Sequence, residues 1–253
     1  MKPSTDEEWE KFGKDDPYFG VVSCDQFRKS SLTDAGREEF FRSGQRHIDE
    51  VFAKIRTHLD PGFAPKRALD FGCGVGRLVL PLAGMVGEVT GVDISESMLA
   101  EARRNCASRS VGNATFVTSD DRLSQVTGTY DLVHTYIVLQ HIPVQRGMRI
   151  LERLVALLAD GGVGVVHLTY AKAYANRRFI QFAKKHIPLA VNLINLVKGR
   201  RFSAPHMQMN TYHLNQVFLA IQRSGAVGCH SEFTDHGGEL GVTVYFRKPK
   251  LPS

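Results

Sequence analysis

The chain of 253 residues has an ordinary globular composition, with 43% hydrophobic and 23% charged residues, and its length suits one large α/β domain with appended segments. Its first ten residues are polar and acidic, and no run of about 18 apolar residues occurs, so we expect neither a signal peptide nor a membrane-spanning helix. The four cysteines lack CxxC spacing, which argues against a zinc site or a disulfide framework and predicts a cytoplasmic protein without a metal site.

The predicted elements begin after an irregular segment at 1–35. A helix is predicted over 36–59, where apolar residues recur at three-to-four spacing before Asp60-Pro61-Gly62 ends it. Five apolar strands then alternate with helices. The strands are at 67–71, 88–93, 114–119, 130–136 and 162–170, and the helices are at 75–84, 95–108 and 143–159. This alternation predicts a parallel sheet covered on both faces.

The pattern changes after the fifth strand. Residues 171–206 form a basic insertion of helical character, and 211–224 predict another helix. Two last strands, 226–234 and 240–248, are joined by a glycine-containing turn. The predicted fold class is therefore α/β, with a seven-stranded, mostly parallel sheet, helices on both faces and a C-terminal antiparallel hairpin.

A glycine-rich run, LDFGCGVGR, ends the first strand and opens the first helix of the alternation. Gly72, Gly74 and Gly76 follow Asp70 at alternate positions. Helix N-termini offer free N–H donors, and nucleotides bind at this edge of an α/β sheet. The dinucleotide fingerprint GxGxxG would need a glycine where Arg77 stands, so the ligand is not predicted to be a dinucleotide.

The run DxGxGxG from Asp70 to Gly76 resembles the first motif of the class I S-adenosylmethionine-dependent methyltransferases. The resemblance implies that S-adenosylmethionine is the cofactor and that Asp70 and the three glycines bind it. It implies that Asp93 holds the ribose hydroxyls, a task that suits a carboxylate because it accepts two hydrogen bonds. It also implies Asp120, with Asp121 as second choice, for the adenine amino group. Two further implied cofactor residues follow or end the second and fourth strands: Ile94 and Thr135.

His141 is the predicted catalytic residue. It lies in YIVLQHIP after the fourth strand, where many members of the family carry a similar histidine-containing run. Methyl transfer needs alignment of the acceptor with the methyl group, and a hydroxyl acceptor also needs a base, commonly a histidine. The alternative is that His141 only holds the start of the helix before Pro143.

The resemblance makes the predicted sheet Rossmann-like and divides the chain in two. Residues 1–60 are predicted to be an extension and helix that cover the active site, and residues 61–253 the methyltransferase domain. The aromatic pair in PYFG (17–20) is a candidate cover for the site. Substrate recognition is expected in segments 1–35 and 171–206.

The basic insertion leaves the acceptor open. The net charge is +6, and residues 161–231 carry nine lysines and arginines and no acid. Segment 172–201 fits a lid that holds an anionic group, a helix on a membrane surface, or a nucleic-acid surface. Nucleic acid is the less favoured partner because 187–197 is apolar.

We therefore expect methyl transfer to a small-molecule acceptor, preferably to a hydroxyl of a saccharide or similar metabolite. The motif [DNS]PP[YF] of many amino methyltransferases is absent after the fourth strand. The alternatives are a lipid or quinone methyltransferase at the membrane surface, and an RNA methyltransferase that uses the basic segment. The oligomeric state stays open.

Overall fold

The structure, a computed structural model, describes residues 4–173 and 207–250. Its centre is a seven-stranded sheet with the strand order β3-β2-β1-β4-β5-β7-β6. Strands β1 to β5 pair in parallel, and β7 runs antiparallel between β5 and β6. The predicted fold class, a Rossmann-like sheet with a C-terminal hairpin, is confirmed. The strands are β1 (Arg67–Phe71), β2 (Glu88–Asp93), β3 (Ala114–Thr118), β4 (Tyr130–Thr135), β5 (Leu158–Lys172), β6 (Gly228–Asp235) and β7 (Glu239–Arg247).

Helices cover both faces of this sheet because neighbouring strand residues point in opposite directions. Ala68 and Leu132 pack in one apolar cluster with residues of α3, α4 and α5, whereas Leu69 and Val133 pack in a second cluster with α6 and α7. Each of the buried leucine and valine side chains contributes roughly 1.5–3 kcal/mol. The helices of the described residues are α1 (Thr5–Asp15), α2 (Pro17–Val21), α3 (Asp34–His58), α4 (Val79–Ala83), α5 (Glu96–Ser108), α6 (Val144–Ala156) and α7 (Leu214–Arg223).

Several predicted boundaries are wrong. The helix predicted at 75–84 is only α4, since Gly76 has a φ of 84° and continues the glycine-rich turn. Strand β5 is longer than predicted because it pairs with β4 from Leu158 and with β7 as far as Lys172. Residues 171–172, placed in the predicted helical insertion, are therefore strand. The rest of that insertion, 174–206, lies outside the described residues.

The segment predicted to be irregular, 1–35, contains two α-helices and a 3₁₀ turn at Asp25–Phe27. Ser4 and Glu7 form a capping box that starts α1, each side chain bonding the other's backbone N–H. Phe12 and Tyr18 then pack against Phe40 of α3 and Met98 of α5. Burial of these aromatic side chains orders a segment whose polar composition suggested a loop.

Glu10 of α1 forms hydrogen bonds with the start of α5. Its carboxylate accepts hydrogen bonds from the hydroxyls of Ser95 and Ser97, at 2.8 and 2.7 Å, and from the backbone N–H of Ser97. Burial opposes ionisation, but the hydrogen bonds from Ser97 and Ser95 outweigh it and hold the pKa of Glu10 at about 2. The carboxylate is therefore ionised at neutral pH and adds to the N-terminal charge stabilisation of α5.

Across residues 4–173 and 207–250, no helix is long and apolar enough to cross a membrane.

We predict that Glu10→Gln lowers the free energy of unfolding by about 1 kcal/mol at pH 7, because charge-assisted hydrogen bonds become neutral ones. The folded-state pKa of Glu10 is depressed, so its contribution is complete above the unfolded pKa and is lost as pH falls toward 2. Urea unfolding between pH 7 and pH 3.5 measures the difference. The exposed neighbour Asp15 supplies the control, Asp15→Asn. A difference that does not shrink toward pH 3.5 contradicts the assignment.

Candidate active site

A cavity of about 640 Å³ lies at the carboxyl ends of β1, β2 and β4. The glycine-rich turn and the loops after β2 and β4 form its floor. Residues of the N-terminal helices form the opposite wall, and the segment after residue 206 contributes two methionines. These wall residues are Thr5, Asp6, Trp9, Val21, Val22, Met207 and Met209. Their mixture is largely apolar, as expected for a small-molecule site.

The glycine-rich turn has a backbone that other residues rarely adopt. Gly72 and Gly74 have φ angles of 76° and 52°. A Cβ on Gly72 would lie 2.2 Å from a methyl of Val138, and one on Gly74 would lie 2.5 Å from a methyl of Val21. Val21 belongs to α2, so the N-terminal wall touches the turn directly.

Asp93 ends β2 and binds two backbone amides. Oδ2 accepts the N–H of Gly74 at 2.8 Å, and Oδ1 accepts the N–H of Ser95 at 2.9 Å. Burial raises the pKa of Asp93 to about 6, although these hydrogen bonds partly offset the effect. Each carboxylate oxygen has a second lone pair, so Asp93 retains capacity for two more donors from the cavity.

Asp70 is buried at the end of β1 and is held by a pair of histidines. Its Oδ1 accepts a hydrogen bond from His134 Nδ1 at 2.8 Å, and His134 Nε2 lies 3.1 Å from His47 Nε2 of α3. Burial, and the neighbouring His134, lower the pKa of His47 to about 2, so His47 is neutral. The other oxygen, Oδ2, is buried without a hydrogen-bond partner among the described residues. Buried polar atoms normally have partners, so Oδ2 indicates a donor that arrives with a ligand.

His141 is buried in the cavity wall at the end of a 3₁₀ turn, Leu139–His141. Its Nδ1 donates to the carbonyl oxygen of Gln208 at 2.7 Å, and its ring packs edge-on against Trp9, with ring centroids 5.1 Å apart. Burial lowers the pKa of His141 despite this bond, so the ring is neutral. Because a carbonyl only accepts, Nδ1 carries the proton and Nε2 is left as an acceptor.

The structure brings only some of the predicted site residues to the cavity. Those that line it are Asp70, Gly72, Gly74, Asp93, Ile94 and His141. Four others do not: Gly76, Asp120, Asp121 and Thr135.

Hydrogen bonds, an ion pair and burial in a strand account for three of these positions. Asp120 is exposed and accepts the backbone N–H groups of Arg122 and Ser124, so it stabilises its own turn. Asp121 forms an ion pair with Arg146. Thr135 is fully buried within β4.

Other cavity residues were not predicted from the sequence. Trp9 lies in α1, a helix that polar composition concealed. Tyr136 lies after β4, and no spacing rule marks this position. In the sequence, Arg77 stands where the dinucleotide fingerprint needs a glycine. This position excludes a dinucleotide but does not predict a function for the arginine.

Part of this chain is similar in sequence to known proteins. Residues 68–162 match the methyltransferase domain family. The magnesium-protoporphyrin O-methyltransferase of Synechocystis is 34% identical over 150 residues, which cover 56% of this chain and 62% of that protein. Over residues 68–162 the chain therefore carries a methyltransferase domain, as the resemblance to the class I S-adenosylmethionine-dependent methyltransferases implied.

Other relatives share smaller parts of this chain. The ubiquinone biosynthesis O-methyltransferase of Burkholderia ambifaria is 33% identical over 39% of the chain and 42% of that protein. A 23S rRNA (uracil(1939)-C(5))-methyltransferase of Stenotrophomonas maltophilia is 34% identical over 32% of the chain, but over only 18% of its own length. The chain thus spans less than two thirds of the length of each of these relatives.

A solved structure supports the fold over nearly the whole chain. The crystal structure of magnesium protoporphyrin IX methyltransferase from Synechocystis, with bound S-adenosylhomocysteine, matches with a TM-score of 0.62. The match covers 96% of this chain and 97% of that one at 20% sequence identity. At this identity the likeness is one of fold.

Proposed function

We propose that the protein transfers the methyl group of S-adenosylmethionine to an oxygen atom of a small-molecule acceptor, with His141 as the base. The observation that carries the proposal is the neutral His141 ring in the same cavity as Asp70, Asp93 and the glycine-rich turn. Two relatives named above are O-methyltransferases, which favours oxygen as the acceptor atom. Among hydroxylated metabolites, the apolar wall favours one with an aromatic or aliphatic body over a bare saccharide.

The donor and acceptor set fits the proposed cofactor. Asp93 offers two oxygens to the ribose hydroxyls, beside a turn that leaves its backbone uncovered by side chains. Asp70 Oδ2 is a buried acceptor without a partner among the described residues, and it suits an N–H donor of the amino-acid part. The bound cofactor would supply an electrophilic methyl group on a positively charged sulfur. Because the protein need not activate that methyl group, positioning and proton removal are its main tasks.

His141 would accept the proton of the acceptor hydroxyl at Nε2. The Gln208 carbonyl fixes the tautomer by accepting from Nδ1, and Trp9 holds the ring plane. Since burial keeps the ring neutral, Nε2 is available as a base at neutral pH. The N-terminal wall would exclude water from the acceptor oxygen.

We predict that Asp93→Asn weakens binding of S-adenosylhomocysteine by about 1.5–3 kcal/mol, the scale of a hydrogen bond to a charged group. Isothermal titration calorimetry at pH 7.5 measures the affinity. Asp120→Asn is the matched control, and we expect it to leave the affinity within about threefold, since Asp120 does not line the cavity. Unchanged affinity in a folded Asp93→Asn protein contradicts the ribose role.

We predict that His141→Asn lowers the rate of methyl transfer by about 100-fold or more, within the range for loss of a general base. The asparagine amide can still donate to the Gln208 carbonyl but cannot accept a proton. The assay follows labelled methyl from S-adenosylmethionine into the small-molecule fraction of a cell extract, with cofactor affinity as the control.

The pH profile separates catalysis from structure. The wild-type rate should fall on the acid side at a pH below the ordinary pKa of histidine, because burial lowers the pKa of His141. The residual rate of the His141→Asn protein should not show this decrease at acidic pH. Label that enters RNA and not the small-molecule fraction contradicts the proposed acceptor class and favours the RNA alternative.

A further inference from the structure

Arg77 is a buried cation for which the described protein offers no anionic partner within ion-pair distance. Its side chain is 8% exposed and it lines the cavity. Its one hydrogen bond runs from Nη1 to the hydroxyl of Ser43, at 3.2 Å. Nε is buried without a partner, and no carboxylate of residues 4–173 or 207–250 lies within 4.0 Å of the guanidinium. A buried guanidinium normally faces a carboxylate or phosphate, because an uncompensated charge is costly to desolvate.

The backbone fixes Arg77 at this depth. The residue follows the glycine-rich turn, and a Cβ on Gly44 of α3 would lie 2.3 Å from the Arg77 carbonyl oxygen. Helix α3 therefore packs directly on the Arg77 backbone, and the residue is only 8% exposed in the wall of the cavity.

The groups around Arg77 do not compensate its charge. Burial lowers the pKa of His47 and raises that of Tyr136, so both are neutral at pH 7. Asp70 acts on Arg77 electrostatically, but it lies beyond ion-pair distance and its Oδ1 is bound to His134. The cavity is therefore lined by a buried cation, Arg77, and by the carboxylates of Asp70 and Asp93.

We infer that Arg77, together with Tyr136, binds a carboxylate group of the acceptor molecule. A planar carboxylate can accept in-line bonds from a guanidinium, while the Tyr136 hydroxyl can donate to it. The Ser43 hydroxyl donates to the Phe40 carbonyl and accepts from Arg77, so it orients the guanidinium and does not bind the ligand. One negative charge compensates one guanidinium, whereas a phosphate dianion would place excess charge near Asp70. This inference rests on the proposed function and specifies the acceptor as an acid.

The cofactor also carries a carboxylate, so the experiment has to separate two sources of the same group. Arg77 interacts electrostatically with Tyr136 after β4 and with Asp70 of β1, the residue proposed above for the cofactor's amino group. The cofactor's own carboxylate is therefore the competing source. Binding of S-adenosylhomocysteine, compared with 5′-methylthioadenosine, which lacks the amino-acid carboxylate, tests the cofactor as the source.

The acceptor arm uses Trp9, which is the single tryptophan of the chain and lines the cavity. Its fluorescence reports ligands that enter the site of protein saturated with S-adenosylhomocysteine. The probes are cyclohexanecarboxylate and its neutral isostere cyclohexanecarboxamide, neither of which absorbs near the excitation wavelength. We expect the acid to bind at least about tenfold more tightly than the amide in the wild-type protein, because only the acid pairs with a buried charge.

Arg77→Gln should reduce that preference to less than about threefold, Arg77→Lys should retain part of it, and exposed Arg122→Gln should retain all of it. Affinity for S-adenosylhomocysteine should change by less than about threefold in each variant. Circular dichroism and thermal unfolding establish that the variants are folded. If Arg77→Gln does not fold, the wild-type preference and Arg77→Lys decide.

Two results overturn the inference. The first is equal binding of acid and amide by the wild-type protein. The second is a loss of tenfold or more in S-adenosylhomocysteine affinity in Arg77→Gln with 5′-methylthioadenosine unaffected, which assigns Arg77 to the cofactor. Both are binding results, so a protein that still methylates a small molecule keeps the proposed function and loses only this inference.

Discussion

The paired hydrogen bonds of Asp93 hold the site together. One carboxylate oxygen accepts from Gly74 in the glycine-rich turn, and the other accepts from Ser95 at the start of α5. Ser95 caps α5 by accepting from Met98 N and donates its hydroxyl proton to Glu10 of α1. The turn, the helix and the N-terminal wall are thus joined through one half-buried carboxylate. Ligand contacts at Asp93 would therefore affect the position of the N-terminal wall.

The electrostatics of the cavity follow from burial. Asp70 and Asp93 are desolvated acids on β1 and β2, and Arg77 is a desolvated base without an ion-pair partner among the described residues. The histidines nearby are neutral, since burial lowers the pKa of His47, His141 and His167. Such a site can bind complementary charges strongly because little water competes. We therefore expect ligands that present a diol to Asp93, N–H donors to Asp70 and an acid to Arg77.

Much of the frame could be predicted from the sequence because it depends on local signals. Apolar runs predict the strands. Asp70, Asp93 and the glycines can be predicted as site residues because they lie at or just after the ends of those strands. The N-terminal helices were not predicted, because the polar composition of this segment is typical of a loop. The capping box of Ser4 and Glu7 is nevertheless a helix signal that is present in the sequence. Asp120 and Asp121 were assigned by position after β3, but their orientation depends on Ser124 and on Arg146 of α6. A partner distant in the sequence, such as Arg146 for Asp121, is not visible to spacing rules.

The pH dependence of S-adenosylhomocysteine affinity tests the central role of Asp93 most directly. Ribose hydroxyls bind the ionised carboxylate, and burial raises the pKa of Asp93 to about 6 in the free protein. Calorimetry from pH 8 to pH 5 should show constant affinity above this value and a progressive loss below it, as protonated Asp93 gives up acceptor capacity. The Asp93→Asn protein should show no such loss. A wild-type affinity that is flat across pH 8 to 5 would contradict the account.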